Sequence, residues 1–238
     1  MTEDPERSGL RRVLAFLKGA RTVPRSRWTA RAVWRPTAGS MASLLVGLWL
    51  FGMGEAFLLT GDLGASPWTV LAQGLSLKTG WDIGWLTFLI SMTVLLLWIP
   101  LRQRPGLGTV LNILVIPIAL QVTYDLIPTP SSVEARFALV LLGIATIGLG
   151  SGFYLTAGHG PGPRDGWMTG LHHRTGRPVG QIRLGIEVVV LVLGVALGGT
   201  FGIGTVLFAL LIGQGVALGL QVVTHLAPPV PHPHVPTD

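Results

Sequence analysis

Laid over itself at a shift of 96 residues, the chain matches its own glycines, prolines and polar turns through most of its length. Gly64 falls on Gly160, Pro67 on Pro163, Gly74 on Gly170, Thr79-Gly80 on Thr175-Gly176 and Gly84 on Gly180. The run Gly106-Leu107-Gly108-Thr109-Val110-Leu111 falls on Gly202-Ile203-Gly204-Thr205-Val206-Leu207, and upstream Gly52 and Gly54 match Gly148 and Gly150. An ungapped register of this length reads as the duplication of one structural unit, so the fold must be two copies of a single design.

Composition says what solvent that design meets. Charged residues make up 12% of the chain and hydrophobic ones 49%, where a soluble domain carries about 25% charged. Several runs approach or exceed the roughly 18–20 apolar residues that cross a bilayer. The chain reads as an all-α, polytopic membrane protein whose first partner is the lipid bilayer. A net charge of +6 would suggest nucleic acid in a soluble protein, but nine of the seventeen Lys and Arg precede residue 41. That placement serves orientation and lipid contact, and no nucleic-acid partner is expected. The absence of cysteine excludes disulfides and thiolate chemistry.

Taken in order, residues 1–40 form a basic leader, in which Leu10, Val13, Leu14, Phe16 and Leu17 can make one face of a short amphipathic helix. The first repeat covers 41–127: a span over 41–60, a short helix from Trp68 to Lys78, a span over 84–100 and a third over 106–127. Ser66-Pro67 is a helix start, Ser at the N-cap and Pro at the first helical position, and Gly80 ends that helix. A turn at 128–135 leads to the second repeat, 136–226, which follows the same order with its short helix from Arg164 to Thr175. The Pro/His-rich tail, 227–238, reads as disordered, and His232 and His234 within it make a poor metal site.

About six spans plus two short re-entrant or interfacial helices put every basic cluster on the cytoplasmic side, with both termini there. Three full spans per repeat is an odd number, so the repeats face opposite ways. Inverted repeats with Gly/Pro-broken segments at matching positions are the best sequence pointer to a transport site. Irregular backbone at membrane depth is tolerated only against protein or a water-filled cavity. The N-termini of the two short helices offer positive dipole ends to a polar or anionic group.

The candidate substrate-binding residues are therefore Ser66, Pro67, Gly162, Pro163, Arg164 and Asp165, with Glu55 and Glu187 as candidate coupling carboxylates. Ionisable groups inside apolar runs are costly and mark function by default. Glu187 follows Arg183 by four residues, so an ion pair along one helix is its structural alternative. His172-His173 reads as a solvated interfacial pair. Walker, His-Glu-x-x-His and nucleophile-elbow motifs are absent, and the Gly-x-Gly-x-Gly of 148–152 lies inside a span. No catalytic residue, metal or cofactor is assigned, and no enzyme activity is expected.

Asp-Leu-Gly-Ala-Ser-Pro-Trp-Thr-Val-Leu in one half (62–71) and Gly-Pro-Gly-Pro-Arg-Asp-Gly in the other (160–166) resemble the YczE/YyaS/YitT-type bacterial integral membrane proteins, over about residues 41–226. The resemblance implies a bacterial inner-membrane protein and carries no catalytic residues across. It also implies a regulatory or export-related role linked to secondary-metabolite production. Two functions follow from the sequence: a small inverted-repeat permease for a small polar or anionic solute, or a membrane-embedded scaffold binding a partner protein, a lipid or a second copy.

Overall fold

The structure is a computed structural model and describes residues 23–177 and 179–228. The leader's amphipathic stretch at 10–17 and the tail histidines His232 and His234 lie outside the described residues. Among these there are eight helices and no strand: α1 (Ala38–Gly61), α2 (Pro67–Thr79), α3 (Ile83–Leu96), α4 (Leu107–Leu126), α5 (Val133–Thr156), α6 (Pro163–Thr175), α7 (Val179–Ala196) and α8 (Ile203–Leu226).

Four of them, α1, α4, α5 and α8, are long and apolar enough to cross a membrane. The pair α2 and α3, bent by 119° at its break, makes a fifth, broken span or a re-entrant loop. Large apolar side chains stay on the outside, among them Leu184, Val189 and Val192 of α7 and Leu210 of α8. In water such a surface would aggregate; in lipid it is at home, and the protein is membrane-embedded.

The sequence expects α3 to run on to Pro100, but the helix stops at Leu96. Pro100 has no N–H to give to the carbonyl four residues back and bars the helical conformation at Ile99. The chain instead tightens into three-residue turns, Trp98 N–H to Leu95 O (3.0 Å) and Ile99 N–H to Leu96 O (3.1 Å).

The shift of 96 recurs in the backbone. α2 and α6 match at both ends, and α3/α7 and α4/α8 match at their first residues. Among the described residues, those with left-handed φ fall in four pairs at the same spacing: Asp62/Gly158, Gly64/Gly160, Gly80/Gly176 and Arg102/Gly198. The two breaks are also stitched reciprocally, since Gly108 N–H donates to His159 O (2.8 Å) and Gly204 N–H donates to Leu63 O (2.7 Å).

The two halves meet along α1 and α5, which run antiparallel. A Cβ on Gly47 would lie 2.5 Å from Tyr154 N, one on Gly54 2.7 Å from Gly143 O, and one on Gly61 3.0 Å from Arg136 O. Numbers rise on α1 as they fall on α5. Glycine is needed here because the backbones touch, as in small-residue packing between membrane helices. The short helices interlock crosswise: α2 lies on α7 through Gly74 and Gly194, while α6 lies on α3 with Gly166 against the Trp98 indole.

One difference between the halves stands out. α3 closes on α4, with Gly84 N–H donating to Gln121 Oε1 (2.9 Å) and Gly84 against Pro117 O. Among the described residues α7 has no comparable packing on α8, and Gly213, which stands where Pro117 does in the other half, has nothing described within 4 Å of the position of a Cβ.

Ahead of α1, the described end of the leader packs across the α5–α6 break. Ala30 N–H donates to Ala157 O (2.9 Å), Thr29 Oγ1 to Thr156 O (2.8 Å), and Trp28 stacks on Phe153. The buried His159 ring is held between Val33 O and Ser40 Oγ, each at 3.0 Å.

Candidate functional site

At the centre of the molecule the two breaks face each other across a cavity of about 190 Å³. Glu55, two turns before the end of α1, is 2% exposed. The chain reverses just beyond it through the left-handed Asp62 and Gly64, which brings the start of α2 back beside the carboxylate. Ser66 Oγ then donates to Glu55 Oε2 at 2.8 Å and Thr69 Oγ1 to the same oxygen at 2.7 Å. The carboxylate thus sits over the first turn of α2, where the helix dipole favours a negative charge by roughly 0.3–2 kcal/mol. Hydrogen bonds to a charged group add about 1.5–3 kcal/mol each. Together these reduce the several kcal/mol needed to take a carboxylate out of water.

The Ser66 expectation is corrected in part. Ser66 does occupy the N-cap of α2, but its side chain makes no capping bond, because the hydroxyl is committed to Glu55. The anion expected at that helix end belongs to the protein itself.

α6 is arranged differently. Gly162 is its N-cap and Pro163 its first residue. Gly162 N–H donates to Tyr154 Oη (2.6 Å), and Tyr154, whose oxygen is occupied as an acceptor, donates to Asp165 Oδ2 (3.1 Å). Direction follows from the single phenolic proton: Asp165 Oδ2 is the acceptor. Pro163 is fixed by its carbonyl, which accepts from Trp98 Nε1 at 2.8 Å, and does not line the cavity.

Arg164 lies over the Trp68 ring, 4.9 Å from its centroid, in the geometry of a cation–π contact. The two residues are 96 apart, so equivalent positions of the two halves stack on one another. The charges nearest Arg164 are Glu55, Asp165 and Glu187. None is within 4.0 Å, and among the described residues Arg164 makes no ion pair or hydrogen bond. Glu187 instead pairs with Arg183 at 2.9 Å along α7, at the half-exposed rim of the cavity.

Of the residues singled out from sequence, Glu55, Ser66, Pro67, Gly162, Arg164, Asp165 and Glu187 all line this one cavity. Sequence reasoning missed Tyr154, Thr69 and Trp68; Asn112, a polar residue inside an apolar run, also lines the cavity. Ser91 and Ser151, 4% and 5% exposed, also line the cavity. Neither they nor Asn112 hydrogen-bonds any described residue. Buried polar groups normally find a partner, so these side chains, with Arg164, present unspent donors and acceptors to whatever fills the space. Phe51, Ile147, Phe208 and Ile212 supply the apolar remainder of the wall. His172 and His173, by contrast, sit together at the end of α6, rings 5.3 Å apart, away from the cavity.

The sequence family described as "Family of unknown function (DUF6198)" matches residues 39–220. An uncharacterised protein of Haemophilus influenzae is 41% identical over 93% of this chain and 99% of its own length. The uncharacterised membrane protein YczE of Bacillus subtilis is 31% identical over 70% of this chain and 79% of its own. The uncharacterised protein YyaS of the same organism is 25% identical over 75% of this chain and 90% of its own. No solved structure matches the chain.

Proposed function

We propose, for a chain that belongs to the DUF6198 family of unknown function, that it is a small inverted-repeat permease whose solute occupies the central cavity. The observation that carries this reading is Arg164: a guanidinium over the Trp68 ring, without an ion-pair partner among the described residues, on the wall of a cavity lined by both halves. Such a planar fork matches a carboxylate or phosphate group. At about 190 Å³ the space is below the roughly 300–1,000 Å³ of pockets for drug-sized ligands, and the solute is small.

The reading places the protein in a bacterial inner membrane, with six crossing helices and both termini in the cytoplasm. The repeats came from duplication and lie inverted. It also gives the unequal halves a use. One half has α3 closed on α4 while the other has α7 away from α8. Exchanging these arrangements moves the opening of the cavity from one face of the membrane to the other, the rocking expected of inverted repeats. Glu55, at the base of the cavity, is the group that couples such a cycle to a proton or cation.

The test is ligand stabilisation of the purified full chain. A panel of acetate, lactate, phosphate, chloride and amino acids is screened by thermal unfolding in detergent, with Arg164→Gln as the comparison. A solute at about 100 times its dissociation constant stabilises by about 2.7 kcal/mol. At least one panel member is expected to raise Tm in the parent chain and to lose that effect at least tenfold in Arg164→Gln, with ligand-free Tm little changed. If nothing in the panel shifts the parent Tm, and a partner protein co-purifies through the leader or the 158–183 segment, the scaffold function takes its place.

A further inference from the structure

We propose that the solute is a small zwitterion, an apolar α-amino acid, held by its carboxylate at Arg164 and by its amine at Asp165 and Glu55. This rests on the reading of the cavity as a solute site. Charge is the first argument. Arg183 and Glu187 neutralise one another at the rim, which leaves Arg164 facing Glu55 and Asp165, one cation against two carboxylates. A simple anion would bring the wall and its occupant to two net negative charges within the protein interior, where such charges are costly. A simple cation would balance the sum but would leave the Arg164 guanidinium unpaired, whereas a zwitterion offers a partner to both signs.

Geometry is the second. Arg164 is near both carboxylates, yet none is within 4.0 Å. Opposite charges held apart on one wall gain most from a ligand that inserts its own opposite charges between them. The acceptors for an amine are present: Asp165 Oδ2 accepts the hydrogen bond from Tyr154 Oη, which leaves Oδ1 without a described partner. Ser91 and Ser151, buried and unpartnered, and Asn112 add neutral hydrogen-bonding groups. The third argument is the apolar wall of Phe51, Ile147, Phe208 and Ile212. An inorganic ion would leave it unused, whereas an aliphatic side chain covers it.

The experiment measures binding of three probes to the purified full chain by titration calorimetry: leucine, isocaproate (the same skeleton without the amine) and isoamylamine (the same skeleton without the carboxylate). Leucine is expected to bind, and each analogue to bind at least about tenfold more weakly, the loss of one charge-assisted contact. Asp165→Asn is the second arm. It should lower leucine affinity while leaving isocaproate unchanged or tighter, so the ratio reports the amine contact whatever happens to overall stability. Isocaproate binding as tightly as leucine would overturn the zwitterion and leave the cavity as an anion site. Leucine failing to bind while another solute of the panel does would overturn it equally. If no solute of any kind binds, the permease reading falls with it.

Discussion

Replacing Gly152 by leucine is expected to abolish folding outright, with no monodisperse protein recovered in detergent. A Cβ at Gly152 would run into the carbonyl of Gly219 on α8, with Leu220 N 2.8 Å away. One turn earlier, Gly148 meets the Gly215 backbone in the same way. What stands in the way is main chain, which has no rotamer to give. The α5–α8 crossing must therefore separate, and van der Waals contact between helices is the main cohesive force in lipid, where no hydrophobic drive holds helices together. Overpacking usually costs about 1–3 kcal/mol when side chains can adjust, and more than about 3 kcal/mol is expected here. Gly185→Ala and Gly213→Ala are the controls: nothing lies within 4 Å of either position, and each should stay within about 1 kcal/mol of the parent, the scale of helix propensity. Equal effects at the tight and open glycines would show that the α5–α8 crossing is wrong.

The second large effect is at Glu55. Truncation to alanine removes the acceptor for Ser66 and Thr69. It also leaves Arg164 with one nearby carboxylate fewer and opens space in the wall. An orphaned buried hydroxyl costs about 1–3 kcal/mol, so Glu55→Ala should lose about 3 kcal/mol or more in thermal unfolding. Glu55→Gln keeps the shape and one carbonyl acceptor, and about 1–2 kcal/mol is expected. A Glu55→Ala protein within about 1 kcal/mol of the parent would mean that the carboxylate is hydrated and the Ser66–Thr69 cradle is not formed.

The shift of 96 made much of this legible. It located both breaks, both short helices and their proline starts, because glycine and proline at fixed positions leave the backbone little choice. Seven of the eight candidate residues line the one cavity. Pro163 is the exception, since its carbonyl is taken by Trp98, a contact 65 residues away in sequence. The cradle of Glu55 was not legible, because it depends on a reversal at Asp62, a non-glycine residue in the left-handed region. Tyr154 was hidden within an apolar run. A signal existed: in the 96-residue register Tyr154 faces Leu58, Arg164 faces Trp68, Asp165 faces Thr69 and Glu55 faces Ser151. Positions where the register holds but the chemistry changes are where two equivalent halves build one unequal site. The difference between α3–α4 and α7–α8 has a local counterpart, since Pro117 and Gln121 are replaced by Gly213 and Ala217 and the Gly84–Gln121 bond has no acceptor side chain to copy it.

The most direct test of the central claim, two inverted halves enclosing a shared site, is the sidedness of two equivalent residues. Thr79 and Thr175 end the short helices, are exposed, and lie 96 apart. The chain has no cysteine, so a single cysteine at either position can be labelled with a membrane-impermeant maleimide from one face of the membrane or the other. With inverted halves, Thr79→Cys reacts from one face only and Thr175→Cys from the opposite face only. Reaction of both from the same face would mean parallel halves and would contradict the inverted arrangement.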